Sequence, residues 1–160
     1  MNNRSPGLTK AEFEQLSEFR YQMRRFERFS DQAAHGEGIT PLQYLLLLHI
    51  KGHSARDWAN VSELAECLQA QHHGVVALVS RCEALRLVRR HVSETDRRQV
   101  EVHLQKAGED ILSKLAGLHR TELASLGGIF RVPQIDSAQT EHNYPGIHTT
   151  PAPDRPRQSR

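Results

Sequence analysis

A mainly α-helical chain with one small β-hairpin is what the sequence predicts, on three observations. Apolar residues recur at spacings of three and four through most of Lys10 to Leu126. The period falls to two only between Leu87 and Leu104. Glycines, prolines and capping residues stand at the joins between these segments. At 160 residues the chain can bury one substantial core. A single domain over residues 1–132 is therefore expected, with long helices over 8–36 and 105–128 flanking a core at 40–104, and a tail over 133–160.

The first helix follows from Phe13, Leu16, Phe19, Met23 and Phe26, which form one stripe, and Gly36 and Gly38 end it. Thr40-Pro41-Leu42-Gln43 joins a capping threonine, proline at the first helical position and a glutamine able to reach back. The helix it starts, Tyr44 to Ile50, is almost wholly apolar and is expected to be surrounded by other elements. Asn60 and Glu63 repeat the capping pattern before a short helix carrying Leu64, Ala65 and Leu68. A second short helix follows, with Val75, Leu78, Val79, Cys82 and Leu85 on one side and Gln71, His72, His73, Ala77 and Arg81 on the others.

Leu87-Val88 enters a strand, Ser93 to Asp96 supplies turn chemistry, and Val100, Val102 and Leu104 alternate with Gln99, Glu101 and His103. From Lys106 to Leu126 helical spacing returns, closed by Gly127-Gly128. Residues 133–160 hold five of the seven prolines and few large apolar side chains, so a disordered tail is expected there. There is no internal repeat.

No stretch approaches the ~20 apolar residues that cross a bilayer, and the N-terminus lacks the apolar run of a secretory signal. A cytoplasmic protein with no membrane partner is expected. Cys67 and Cys82 cannot build a disulfide framework and read as small core residues. The net charge of +2 decides nothing about partners, but its distribution does. Arg81, Arg86, Arg89, Arg90, Arg97 and Arg98 crowd one central segment, where a basic reading surface can form.

Two short helices followed by a hairpin with arginines at its turn describe a winged helix-turn-helix. The second helix fits a DNA major groove, and the hairpin reaches the adjoining minor groove. Arginine suits a narrow minor groove because the potential there is strongly negative and a guanidinium is weakly hydrated. Arg97 and Arg98 are the expected wing contacts. His72 and His73 lie where side chains would meet base edges or phosphates, and protonation there would strengthen binding on mild acidification.

The run Val61-Ser-Glu-Leu-Ala-Glu-Cys-Leu, then Leu78-Val-Ser-Arg-Cys-Glu, then Asp96-Arg-Arg-Gln-Val-Glu-Val-His-Leu-Gln-Lys-Ala-Gly108 resembles the MarR family of transcriptional regulators. The resemblance spans about Thr40 to Leu126, and Asp96-x-Arg98 with the following valines is its most specific part. It implies an obligate homodimer joined by the N- and C-terminal helices, a pseudo-palindromic double-stranded DNA operator, and repression relieved by a small phenolic or aromatic ligand. By position it assigns Gln71, His72, His73, Gly74, Val76 and Ala77 to the reading helix, Arg81 to bracing the wing, Asp96 to orienting the hairpin, and Arg98 to the minor groove. The chain departs from the family at Arg86, where members commonly carry glycine, and at Gln71, which replaces a serine-type cap. It also turns proline-rich where members add a sixth helix.

Rival readings concern metals, thiols and ligands. His49 and His53 stand four apart, but Gly52 lies between them and no cysteine or carboxylate pair completes a tetrahedral set, so no metal or other cofactor is expected. A metal-dependent histidine enzyme would need convergent ligands and a general base, and neither an HExxH pattern nor paired carboxylates occur. Buried thiols are inert, which argues against a redox switch. Tyr21, Phe26, His35, Tyr44 and Trp58 are candidates to line a cleft for an aromatic ligand. The expectation is thus a homodimeric, non-enzymatic DNA-binding repressor, with a helical dimerisation module lacking DNA binding as the alternative.

Overall fold

The computed structural model describes residues 7–94, 96–127 and 132–133. The elements run α1 (Lys10–Gly36), α2 (Pro41–Lys51), β1 (Trp58–Ala59), α3 (Val61–Cys67), α4 (His72–Ala84), β2 (Val88–Val92), β3 (Val100–Leu104) and α5 (Lys106–Ser125). Most of the expected tail lies outside the described residues.

Each of the first three helices begins in a capping box, in which the cap side chain accepts from the third backbone N–H and the third side chain accepts from the cap's own. Thr9 and Glu12 do this for α1, Thr40 and Gln43 for α2, and Asn60 and Glu63 for α3. The turn out of α1 needs Gly38, whose φ of +77° is strained for any residue with a Cβ.

α2 is the hub, touching α1, α3, α4, α5, β1 and β3. Its Leu46, Leu47 and Ile50 are fully buried among Leu64, Val75, Val79, Val88, Val102 and Leu115. The expectation that α2 is surrounded holds for one side only. Leu42, Leu45 and Leu48 are exposed along its other face, because three-residue steps carry them away from the core.

The hairpin pairs β2 with β3 in antiparallel register, Val88 opposite Leu104 and Val92 opposite Val100. A third strand was not foreseen: β1 adds to the outer edge of β3, Trp58 opposite His103, giving the order β1-β3-β2. Two residues carry no periodicity, so only the neighbouring edge makes β1 a strand. The start of α5 is tied to the start of β2, with the Gln105 backbone N–H donating to the Leu87 carbonyl at 2.9 Å and its side-chain amide to the Val88 carbonyl at 2.7 Å. Gly108 sits against this junction, where a Cβ would lie 2.2 Å from the Leu87 carbonyl oxygen.

His119 on α5, not singled out in the sequence, joins three helices. Its ring stacks on Tyr44 at 4.8 Å and meets the edges of Phe26 and Phe29. Its nitrogens are satisfied by the Leu115 carbonyl at 2.7 Å and Ser30 Oγ at 2.9 Å, which is why a polar ring can be buried there. Cys82 is buried as expected; Cys67 is exposed, because it ends the short α3 beyond the reach of the core.

Candidate nucleic-acid interface

The helix pair is held from below and its polar side is left open. Arg56 stacks its guanidinium 3.7 Å from the Trp58 ring centre and reaches both Glu63 oxygens at 2.5 Å. Burial alone would raise the Glu63 carboxyl, but Arg56 and the Asn60 backbone N–H bring it below the usual range. This fixes the entry to α3. The turn to α4 passes through Gln69 in the left-handed region at φ +50°. α4 then starts from Gln71, whose side chain makes no capping bond.

Along α4, Val75, Leu78, Val79 and Cys82 are buried, while His72, His73, Gly74, Val76, Ala77 and Arg81 are exposed, as is Gln71 before them. The residues assigned to reading thus share the uncovered side. In the wing, the Asp96 carboxylate accepts from the Arg98 backbone N–H at 3.0 Å and the Asp96 carbonyl accepts from Gln99 at 2.9 Å, closing the turn. Arg97 and Arg98 are exposed at that turn. A cleft of about 540 Å³ runs between helix and wing, lined by Asn60, Ser62, His72, Asp96 and Arg98 among others.

The brace between α4 and the wing is not Arg81, for which no bond within the chain is seen among the described residues. Arg90 on β2 takes that place. Its backbone N–H and guanidinium both bond Glu83, at 3.0 and 3.2 Å, and its second terminal nitrogen reaches Ser80 Oγ at 2.7 Å and the Val76 carbonyl at 3.1 Å. Arg90 points toward the helices because it alternates with Arg89 along the strand. That alternation was legible in the sequence; which arginine faced α4 was not.

Residues 37–99 match the family model described as MarR family. This segment is a MarR-family winged helix-turn-helix. MarR-family proteins are transcription regulators and not enzymes, and the fold agrees over a wider span than the family model does. AbsC, a MarR family transcriptional regulator from Streptomyces coelicolor, is 25% identical over 79% of this chain and 82% of its own, with a TM-score of 0.63. A mutant MepR of Staphylococcus aureus bound to an oligodeoxyribonucleotide is 21% identical over 76% and 83%, with a TM-score of 0.58. BpsR of Bordetella bronchiseptica, whose DNA binding is regulated by 6-hydroxynicotinic acid, is 17% identical over 68% and 76%, with a TM-score of 0.54. No curated protein matches the chain.

The five residues expected to line a ligand cleft do not converge. Phe26 and Tyr44 each pack against the buried ring of His119. Tyr21 and His35 are exposed on α1, and Trp58 lies in the sheet beside Arg56 and His103. Helical spacing places residues on a face of one element but says nothing of which elements meet. Among the described residues no group of histidine, cysteine or carboxylate is arranged to hold a metal, and no helix is long and apolar enough to cross a membrane.

Proposed function

We propose that the chain is a homodimeric repressor that reads a pseudo-palindromic DNA operator and releases it on binding a small aromatic or phenolic ligand. The observation that carries this reading is the uncovered side of α4, His72 to Ala77 apart from the buried Val75, with His72 and the wing's Arg98 lining one cleft and Arg97 exposed at the same turn. Such a pair fits a major groove and the minor groove beside it. Dimerisation is supported by apolar side chains left open on the flanking helices: Phe13 is 55% exposed and Tyr21 58% on α1, Leu118 47% and Leu123 55% on α5. The oligonucleotide bound to MepR and the acid that regulates BpsR support the DNA partner and the ligand class.

The test is a mobility shift with a duplex selected by the protein from a random pool, repeated for Arg98→Ala over a range of salt. The variant is expected to bind more weakly and to lower the salt slope by about one, as for one phosphate-region cation removed. Undiminished binding would take the wing out of the mechanism. A wild-type chain that selects no duplex would leave only a helical dimerisation module.

A further inference from the structure

Arg90 belongs to the wing strand, yet every acceptor it uses lies on α4. Its backbone N–H and Nη1 hold the two oxygens of Glu83, and its Nη2 holds Ser80 Oγ and the carbonyl of Val76. Ser80 Oγ in turn donates to the same Val76 carbonyl at 3.0 Å, so the three groups form a closed set. Val76 stands on the open side of α4, one turn after His72 and His73, while β2 leads within a few residues from Arg90 to the turn carrying Arg97 and Arg98. One planar guanidinium therefore sets the angle and distance between the two exposed surfaces. A lysine could not do the same, since a point charge cannot bridge a carboxylate and two further oxygens in one plane. The side chain is only 31% exposed, and both of its terminal nitrogens already have acceptors within the chain.

We propose that Arg90 is the positioning residue that makes reading by α4 and by the wing cooperative, so that it determines discrimination between DNA sequences without touching DNA. This rests on the DNA-reading function proposed above. With the tie in place, α4 and the wing must enter their grooves together, and only a duplex offering both sets of contacts at the right spacing is bound tightly. Without it, each surface adjusts alone, and non-specific backbone contacts, which tolerate misalignment, survive.

The experiment compares wild-type full-length protein with Arg90→Met, which keeps the apolar stem and loses the donors. The probes are a duplex selected by the wild type from a random pool and poly(dI-dC). The preference for the selected duplex should fall about tenfold, as for loss of a charge-assisted bond, while affinity and salt slope on poly(dI-dC) stay unchanged. Arg98→Ala should cost the selected duplex less in the Arg90→Met background than in the wild type, because the coupling it reports is gone. If Arg90→Met does not fold by circular dichroism, Ser80→Ala, an exposed change that removes one bond of the set, should lower the preference about threefold. A preference retained by the folded variant overturns the proposal. A wild type that selects no duplex overturns the DNA-reading function and this inference with it; a wild type that selects one, followed by an indifferent Arg90→Met, overturns this inference alone.

Discussion

The two cysteines show how far the immediate surroundings of one side chain decide its chemistry. Burial pushes the Cys82 thiol up to about 11, with Arg81 opposing only weakly. Cys67 is exposed, and its thiol is raised by partial burial and then by the charges of Glu66 and Glu63. At pH 8 a thiol reagent should label Cys67 slowly in the native protein and Cys82 only once the chain is unfolded. Simultaneous labelling of both would contradict the buried position. The same shift has a stability consequence with a definite sign. The folded Cys82 thiol keeps its proton to about 11 while an ordinary thiol loses it near 9.0, so the contribution is complete below that lower value and is lost as pH rises toward the upper. Cys82→Ala should flatten that alkaline decline in denaturation curves measured from pH 8 to 11.

Between elements, the joins are more demanding than the helices they connect. Arg86, in the turn from α4 to β2, has φ +57°, a left-handed conformation that costs a side-chain-bearing residue energy. Arg86 thus holds under strain a conformation that glycine would adopt freely. Arg86→Gly should raise stability by about 0.5 kcal/mol, the relief of strain less the added freedom of the unfolded chain. Urea midpoints measure this, and a lower midpoint would mean that the arginine side chain outweighs its backbone. Gly108 has the opposite character. Its missing Cβ lets α5 approach the Leu87 carbonyl, a backbone atom that cannot swing aside. Gly108→Ala should cost about 2 kcal/mol or more through overpacking and should loosen the junction between wing and α5. A variant of unchanged midpoint would show that the junction yields.

For the molecule as a whole, the exposed apolar side chains of α1 and α5 are the feature a lone chain does not explain. Leu118 and Leu123 project from α5 while Leu112, Leu115 and Leu126 of the same helical region are buried, so the helix is apolar on more than its core side. Replacing both Leu118 and Leu123 by Glu should leave the intrachain core intact and convert a dimer into monomers in sedimentation. Binding to a two-fold operator should fall steeply with it, since the second half-site contact is no longer intramolecular. A monomeric wild type would sink the homodimer.

Local pattern was enough for much of this protein. Spacings of three and four, capping boxes at Thr40 and Asn60, and alternation around Val100 to Leu104 depend on neighbours a few residues apart, so helices, hairpin and the polar side of α4 were legible in order. Pairings across the chain were not. That Trp58 becomes a strand, that Arg90 rather than Arg81 spans wing to helix, that His119 packs against both Phe26 and Tyr44, and that Cys67 escapes the core all depend on which elements meet. Spacing confines a residue to a face of its own element, whereas only packing decides what that face is brought against.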